Sequence, residues 1–452
     1  MEEHLNYPMK LKFTLLLLSV SISFVSGQSG KQNQFILNTI EEETVKYRAV
    51  YQDLHRNPEL SLMEFETSKK IAKAIKELGY EVTTGVGGNG VVAVLRNGPG
   101  RVIMLRTDMD ALPVKENTGL PFASTSIMKN AAGKDFPAMH ACGHDLHMSV
   151  WLGTLEMIAR LKNQWKGTIV AIAEPAEEIS GGSLNMINDG LFARFPKPDV
   201  ALCYHVSPEL PAGTIGYCSG PIFAGVSNCD ITVYGRGGHG AMPHKTIDPV
   251  VLTSRIVLDL QTIVSRETNP VKPAVVTVAA INGGSKNNII PDEVKMLMTL
   301  RFFDDEVFAH MKEAISRIAR GDAIAAGLPD DKMPLIKFSD EATPPVINNK
   351  NLVYESVSYM QDILGKEKVI EVEPAMVAED FGQYGLTAEK ITIALFWLGG
   401  VNQEKYDEYT KKGLSLPYLH SSLFAPDFDP AFKCGVKAMS RAIIGLLGNK
   451  AN

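Results

Sequence analysis

The feature that most constrains the fold of this chain is an alternation of strand-like apolar runs with helical patterns. Five short apolar runs are typical of buried strands: residues 91–95, 102–105, 168–173, 200–205 and 391–398. Helical periodicity covers three longer stretches, at residues 146–161, 352–363 and 431–447. Strands that alternate with helices indicate a layered α/β fold with a largely parallel sheet.

The middle of the chain follows a different pattern. Strand-like runs lie at residues 228–234, 275–281 and 293–302, and helical patterns lie at residues 249–263 and 305–325. Their order, β-α-β-β-α, is typical of a small α+β unit with one open sheet face. Gly220-Pro221 and Gly327 provide linker residues on either side. We therefore expect an inserted domain at residues 225–335, which splits a main domain into residues 28–224 and 336–452.

The N-terminal residues have the pattern of an export signal. Lys10 and Lys12 precede an apolar run at residues 13–25, which is too short to span a bilayer but fits a signal-peptide core. We expect a signal peptide at residues 1–27 and a secreted or periplasmic protein without membrane association after cleavage; a buried N-terminal helix is the alternative. With 45 Lys+Arg and 51 Asp+Glu the net charge is −6, which argues against a nucleic-acid partner.

The densest group of reactive side chains lies at residues 139–147. His140, Cys142, His144, Asp145 and His147 fall within these nine positions. Thiolate and imidazole groups are the usual ligands of zinc-like metals. Five cysteines in 452 residues do not make a disulfide framework. The group therefore favours a metal site over the alternative, a polar loop with solvated histidines.

Carboxylates follow two of the predicted strands. Glu177 and Glu178 come after the strand at residues 168–173, and Asp110 comes after the strand at residues 102–105. Loops at the carboxyl ends of parallel strands build the sites of α/β proteins, and paired carboxylates there can divide the work between ligating a metal and taking a proton from water. An exposed acidic turn is the alternative. His205 ends another predicted strand, and His420 lies near the C-terminus, although a lone histidine is more often structural.

The middle segment also carries polar residues of interest. Residues 235–244 combine four glycines with His239, but they lack the Lys-Ser/Thr of a phosphate-binding loop. Asn288 and Arg301 follow in the same unit. An arginine fork suits a substrate carboxylate, while an ordinary surface ion pair is an equally common role.

Eight motifs occur in the order found in a known family. They are residues 54–61 (LHRNPELS), 105–113 (LRTDMDALP), 139–145 (MHACGHD), 175–178 (PAEE), 237–244 (GGHGAMPH), 282–284 with 288–291 (NGG and NIIP), 379–381 (EDF) and 419–420 (LH). From about residue 45 to 447 the chain resembles the M20 metallopeptidases. Within them it is similar to the amidohydrolase branch of indole-acetyl-amino-acid, hippurate and N-acyl-amino-acid hydrolases.

The resemblance implies a zinc-peptidase-like α/β catalytic domain with an inserted lid that also forms a dimer. It implies a binuclear metal site in which Cys142 bridges the two ions. The other ligands that it implies are His144, Glu178, His205 and His420. The branch commonly has Gln at position 174, where this chain has Glu174.

The resemblance also assigns roles beside the metals. Glu177 corresponds to the general base, and Asp110 to an acid that orients a ligand histidine or the base. His239 corresponds to a lid histidine that polarises the scissile carbonyl, often from the neighbouring subunit. Asn288 and Arg301 correspond to groups that hold the substrate carboxylate.

The function implied is metal-dependent hydrolysis of the amide bond of N-acyl amino acids or similar small substrates. We expect two divalent ions per subunit, with Zn²⁺ favoured and Mn²⁺, Co²⁺ or Ni²⁺ as alternatives, and a homodimer through the lid. A dipeptidase or aminoacyl-carboxypeptidase of the same fold is the main alternative. A non-catalytic binding protein on this scaffold is disfavoured, because both the ligand set and the base are present.

Overall fold

The structure is a computed structural model that describes residues 10–129, 133–339 and 342–448. Its helices are α1 (Lys10–Arg56), α2 (Phe65–Glu77), α3 (His144–Arg160), α4 (Gly182–Asn188), α5 (Leu191–Arg194), α6 (Pro249–Thr262), α7 (Asp305–Ala325), α8 (Lys350–Leu364), α9 (Gly382–Gly385), α10 (Gln403–Lys412) and α11 (Phe428–Gly448). Its first nine strands are β1 (Glu81–Val86), β2 (Gly90–Asn97), β3 (Val102–Asp108), β4 (Ile127–Lys129), β5 (Asp135–Pro137), β6 (Gly167–Glu174), β7 (Val200–Pro211), β8 (Ile215–Tyr217) and β9 (Gly220–Phe223). The others are β10 (Gly225–Tyr234), β11 (Gly238–His239), β12 (Ala274–Gly283), β13 (Ile289–Ile290), β14 (Glu293–Phe302), β15 (Leu335–Phe338), β16 (Val346–Asn348), β17 (Val369–Glu371) and β18 (Thr392–Val401).

The larger sheet has eight strands in the order β1-β2-β6-β3-β7-β18-β8-β17. Its four central strands, β6, β3, β7 and β18, are mutually parallel. On one side β2 and β1 run antiparallel, and on the other side β8 runs antiparallel to β18. The expectation of a largely parallel sheet therefore holds for the centre only, because antiparallel pairings extend the sheet on both flanks.

Both faces of the large sheet are covered, which explains the continuous apolar strands in the sequence. On β3, Ile103 and Leu105 pack with α1, α2, α3, α8 and α11, while Met104 faces the short helices α4, α5 and α9. The same alternation places Leu202 on the first side of β7 and Cys203 on the second. The period of two along each strand thus divides the core into two layers.

The smaller sheet has the order β12-β14-β10-β15 and is built from the middle of the chain. Helices α6 and α7 pack on one of its faces over a core of β10 and β14 side chains. Asp248 and Asp304 precede these two helices and accept hydrogen bonds from their first backbone amides, which fixes where each helix begins. The predicted order β-α-β-β-α is present, followed by β15.

The N-terminus of α2 differs from its prediction. In the sequence, Ser61 and Glu64 have the spacing of a capping box, which predicts a helix that opens at Ser61 and runs to about residue 78, but α2 begins at Phe65. The Ser61 hydroxyl instead donates to the Asp110 carboxylate at 2.6 Å, and the Glu64 side chain turns inward. Tertiary hydrogen bonds therefore take both side chains away from the local cap.

The predicted signal peptide lies only partly within the structure. Residues 1–9 are outside the described residues, and residues 10–27 belong to the first part of α1. No helix within the described part of the chain is long and apolar enough to cross a membrane.

Candidate metal centre and active site

The predicted ligands Cys142 and His144 lie at the start of α3. Gly143 between them has φ 80° and serves as the residue before the helix. A Cβ at this glycine would lie 2.6 Å from Cγ1 of Val206, so both the backbone angle and the space require glycine. This tight turn brings Sγ of Cys142 to 3.5 Å from Nε2 of His205 on β7.

The two histidines are oriented by backbone carbonyls. Nδ1–H of His144 donates to the carbonyl oxygen of Asp110 at 2.8 Å, and Nδ1–H of His205 donates to the carbonyl oxygen of Val206 at 2.9 Å. Because a carbonyl only accepts, each ring presents the lone pair of Nε2 to the centre of the site. Metal-binding histidines are held in this way. His205 was predicted to end its strand; it lies instead inside β7, which continues to Pro211 because β18 pairs alongside.

Glu177 and Glu178 begin a single 3₁₀ turn after β6. The residues on either side of this turn, Ala176 and Ser180, have φ of 54° and 56°. The Asp110 carboxylate accepts hydrogen bonds from the backbone amides of Glu177 at 3.1 Å and Glu178 at 3.0 Å. Asp110 thus orients the carboxylate pair directly and supports His144 through its carbonyl oxygen.

The five predicted metal ligands converge. Ligand atoms lie within 4.8 Å of one another in the set Cys142, His144 and His205, and likewise in the set Cys142, Glu178 and His420. Cys142 is common to both sets, as the bridge between two ions requires. His420, at φ 64°, is the most exposed ligand, and its Nε2 lies 3.4 Å from the Glu178 carboxylate.

The donor set fits divalent metal ions. Nε2 of His144 and Oε1 of Glu178 are buried, have no hydrogen-bond partner among the residues that the structure describes, and lie 3.7 Å apart. Buried polar atoms are ordinarily paired, so two orphaned atoms of ligand type facing each other point to a cation between them. Thiolate, imidazole and carboxylate together suit zinc-like ions.

The electrostatics of the site also favour bound cations. Burial raises the pKa of Glu178 to about 8, and burial with the charges of Glu379 and Glu178 raises that of Glu177. Burial and the nearby carboxylates raise the pKa of the Cys142 thiol as well. His144 has its pKa raised to about 10, because neighbouring carboxylates, Asp108 foremost, outweigh the effect of burial. Two divalent ions would stabilise the ionised forms of these acids in place of protons.

A buried ionic network behind the centre was not predicted. The Arg106 guanidinium contacts four carboxylates, at distances of 2.6 to 3.0 Å: Asp108, Glu174, Glu379 and Asp380. Solvent reaches none of these side chains. The sequence carried a signal, since motifs 105–113 and 379–381 contain every residue of the network except Glu174, and an arginine within an apolar strand requires partners.

The other polar residues of the 139–147 motif have different surroundings. His147 accepts a hydrogen bond from the Val206 amide at Nε2, and its Nδ1 lies 2.8 Å from Asp108, so both ring nitrogens are occupied. His140 is buried, neither of its ring nitrogens has a hydrogen-bond partner within residues 10–129, 133–339 and 342–448, and burial lowers its pKa to about 4. Asp145 pairs with His55.

A cavity of about 510 Å³ opens onto the centre. It is lined by Cys142, Glu177, Glu178, Ile179, Ser180, His205, Val226, Asn228, Thr299, Arg301, Met376, Val377, Ala378, Tyr418, Leu419 and His420. Arg301 reaches it from the open face of β14, and its Nη1 is buried without a hydrogen-bond partner in the described part of the chain. The predicted residues His239 and Asn288 are not among these lining residues; they lie exposed in the β11–β13 region of the small-sheet segment.

Comparison with known proteins identifies relatives along most of the chain. Residues 104–416 match Peptidase family M20/M25/M40. Thermostable carboxypeptidase 1 of Saccharolobus solfataricus is 35% identical over 87% of this chain and 93% of its own length. N-acetyl-L-cysteine deacetylase of Bacillus subtilis is 35% identical over 78% of this chain and 80% of its own. IAA-amino acid hydrolase ILR1-like 2 of Arabidopsis thaliana is 34% identical over 85% of both chains.

A solved structure shares the architecture. The Bacillus subtilis YXEP protein, described as a dinuclear metal binding peptidase from the M20 family, superposes with a TM-score of 0.72. The two chains are 28% identical, and the match covers 90% of this chain and 99% of the other. The family match, the relatives and the converging ligands agree. This chain belongs to the M20/M25/M40 peptidase family and is a metal-dependent amidohydrolase.

Proposed function

We propose that this protein hydrolyses the amide bond of N-acyl amino acids or similar small substrates. The observation that carries the proposal is the placement of Glu177 and Arg301 on one cavity. Glu177 is a buried carboxylate 3.9 Å from Nε2 of His144. Arg301 is the one lysine or arginine among the described lining residues of that cavity. Glu177 as a base beside the proposed ligands and Arg301 as a cation on β14 suit a substrate that has both an amide and a free carboxylate.

The chain's own residues supply the proton transfers and the orientation. When bound, the divalent ions would lower the pKa of water and polarise the amide carbonyl. Glu177 takes the proton from water and passes it to the leaving amine, a role that suits a buried carboxylate 3.9 Å from Nε2 of His144. Cys142, His144, Glu178, His205 and His420 would hold the ions, with Zn²⁺ as the favoured metal.

Arg301 would bind the substrate carboxylate and thereby orient the amide. Burial lowers the pKa of Arg301, and among the described residues its buried Nη1 has no hydrogen-bond partner, so this nitrogen is available to an anionic group of a substrate. A substrate carboxylate would supply two charge-assisted hydrogen bonds to the guanidinium. We assign Asn288 the supporting role that its motif implies.

Amide hydrolysis by the chelated protein, and after addition of Zn²⁺, Mn²⁺, Co²⁺ or Ni²⁺, tests the proposal. The substrates are N-acetyl and N-benzoyl amino acids beside a set of dipeptides. We expect that metal restores cleavage of the acyl amino acids. Cleavage of dipeptides alone would transfer the protein to the second candidate function, and no cleavage with any ion would refute both.

That second candidate is a dipeptidase or aminoacyl-carboxypeptidase. It is supported by the 35% identity to a protein named thermostable carboxypeptidase. Both reactions would use the same base and ligands, so they differ only in the group bound on the acyl side of the amide. The apolar residues Met376, Val377 and Ala378 on the cavity wall favour an uncharged acyl group over the charged amine of a dipeptide.

We further propose a homodimer through the small sheet. Strand β12 is an edge strand of that sheet, so its outer amide and carbonyl groups are available for pairing. On α6 the apolar side chains of Val250, Val251 and Leu258 are exposed, Leu258 to 70%. Such an edge beside exposed apolar residues is typical of a symmetric interface. Sedimentation of the purified chain measures it, with a dimer expected.

We also propose that the protein is exported. This proposal rests on Lys10, Lys12 and the apolar run that follows them, and a secreted or periplasmic location would follow from it. N-terminal sequencing of the protein recovered outside the cytoplasm checks this, with Gln28 as the expected first residue. Recovery of an uncleaved chain inside the cell would contradict it.

A further inference from the structure

Glu64 is a buried carboxylate directly behind the turn that carries Glu177 and Glu178. It precedes α2, and solvent does not reach it. Its Oε1 accepts hydrogen bonds from the backbone amides of Ala176 at 2.8 Å and Leu62 at 2.9 Å, and Oε2 accepts one from Nδ2 of Asn89 at 2.9 Å. Three donors therefore satisfy this one buried carboxylate, and one of them is the backbone amide of Ala176, which directly precedes Glu177 and Glu178.

The turn that Glu64 contacts has an unusual backbone. Ala176 and Ser180 both lie in the left-handed region, which residues with a Cβ adopt rarely. Such a conformation persists where surrounding contacts over-determine it. Here three consecutive amides, those of Ala176, Glu177 and Glu178, each donate to a buried carboxylate: the first to Glu64 and the other two to Asp110.

The two carboxylates are linked through residues 61–64. Ser61 donates its hydroxyl to Oδ2 of Asp110 at 2.6 Å, and the Leu62 amide donates to Glu64. Leu62 itself is left-handed, with φ 67°. One short segment therefore supports both acceptors that hold the catalytic turn, 112 residues further along the chain.

We propose that Glu64 is a positioning residue that fixes the Glu177 carboxylate through the backbone amide of Ala176. Its hydrogen bond sets the first of three successive peptide planes, and Asp110 sets the next two. With all three planes set, the direction of the Glu177 side chain is fixed relative to the ligands. A displacement of about 1 Å at a reacting group can cost roughly 100-fold in rate, so a loss of this contact should reduce turnover.

The proposal rests on the proposed function, and its test includes a measurement that does not depend on it. The variants are Glu64→Ala and Glu64→Gln. The glutamine retains the volume of the side chain and one acceptor oxygen. The control is Glu59→Ala, because the Glu59 carboxylate lies in the same segment and accepts from the amides of Glu66 and Thr67 without contacting the catalytic turn. The measurements are kcat, KM, the midpoint of thermal unfolding and the affinity for Zn²⁺ in competition with a chelator.

We expect kcat of Glu64→Ala to fall by about 100-fold with KM changed less than about threefold. We also expect its Zn²⁺ affinity to fall by about tenfold, because the ligand Glu178 shares the turn. The kcat and the Zn²⁺ affinity of Glu64→Gln should lie between those of the wild type and of Glu64→Ala. This variant also tests the proposal if Glu64→Ala does not fold. Glu59→Ala should retain kcat and Zn²⁺ affinity.

Two results would overturn the proposal. One is a folded Glu64 variant with wild-type kcat and Zn²⁺ affinity; the other is a loss of kcat that follows thermal stability equally in the Glu59 and Glu64 variants. If the wild-type protein cleaves no acyl amino acid, the proposed function fails, and the Zn²⁺ affinities alone decide the positioning role.

Discussion

Arg106 and Asp108 lie two residues apart on β3, and Nη1 of the arginine is 2.6 Å from Oδ2 of the aspartate where solvent reaches neither side chain. The period of two along a strand places both on one face of the sheet. Oδ1 of the same aspartate lies 2.8 Å from Nδ1 of His147. This strand therefore joins the buried ionic network to the histidines behind the metal centre.

Replacement of Arg106 should destabilise the whole domain. Arg106→Met would leave Asp108, Glu174, Glu379 and Asp380 without their common cation, and breaking a buried ion pair costs about 3–5 kcal/mol. We expect a loss of that size in the free energy of unfolding, measured by urea denaturation of the metal-free protein. The control is Arg96→Met, whose exposed pair with Glu81 on β1 should contribute at most about 1 kcal/mol. Similar losses in both variants would contradict a special role for the network.

Replacement of the proposed base should separate metal binding from turnover. Glu177→Gln keeps the shape of the side chain but cannot accept a proton, so we expect kcat to fall by roughly 10²–10⁴-fold. Its metal content should remain that of the wild type, because Glu178 and not Glu177 is the proposed ligand. Glu178→Gln is the matched variant and should lose metal. Activity close to wild type in Glu177→Gln with normal metal content would remove Glu177 from this role.

The role of Arg301 should depend on the substrate carboxylate. Hydrogen bonds to charged groups contribute about 1.5–3 kcal/mol, so Arg301→Gln should lower kcat/KM for an N-acyl amino acid by roughly 10- to 150-fold. The corresponding N-acyl amino amide, which lacks the carboxylate, should be cleaved equally by both proteins. Arg317→Gln on the exposed face of α7 is the control and should change neither value. Equal losses on the acid and the amide would contradict carboxylate binding.

Much of this architecture was predictable because burial leaves a local pattern. Strands covered on both faces are apolar throughout, and β2, β3, β6 and β18 were found within three residues at each end, whereas β7 ends six residues later than predicted. Short flanking strands such as β8 and β17 were not, since three residues carry no periodic signal. The antiparallel direction of β2 also went unpredicted although its residues 91–95 were recognised as a strand, because an apolar run does not encode the direction of a strand.

Residue type was enough to propose the metal ligands, whereas the contacts that support these side chains could not be predicted. Cysteine, histidine and paired glutamates identify a metal site within short motifs, and the structure brings all five proposed ligands together. The contacts that hold them join distant positions: Arg106 meets Asp380 across 274 residues, and Glu64 meets Ala176 across 112. Such pairings arise only when the sheet forms. Ser61 is an example: its local sequence predicts a helix cap, but in the structure its hydroxyl donates a hydrogen bond to the distant Asp110.

His55 should make stability depend on pH. Both ring nitrogens face buried carboxylates, Asp145 at 2.6 Å and Glu116 at 2.9 Å, and these outweigh burial and raise the pKa of His55 to about 9. Because the pKa of His55 is higher in the folded than in the unfolded state, its protonation stabilises the fold. This stabilisation is complete below the unfolded-state pKa of about 6.5 and is lost as pH rises through 9. His55→Gln should therefore cost on the order of 3 kcal/mol near pH 6, and less as pH approaches 9.

Denaturation of both proteins across pH 6 to 9.5 measures that difference. The comparison removes the contributions of other groups that titrate in this range, such as Glu43, whose pKa burial raises to about 8. A difference that stays constant with pH would show that the interaction does not depend on a proton on His55.

Subunit mixing should show whether His239 acts across the proposed dimer. Within one subunit His239 is exposed and is not among the cavity-lining residues. It can therefore contribute to catalysis only if the small-sheet segment closes over the cavity or if a partner subunit supplies it. His239→Ala and Glu177→Gln should each be nearly inactive. In a mixed dimer, one of the two sites would regain an intact Glu177 from the first chain and an intact His239 from the second. Random exchange makes about half of the dimers mixed, so about a quarter of wild-type activity should return. If sedimentation shows exchange but no activity returns, His239 acts within its own subunit or not at all.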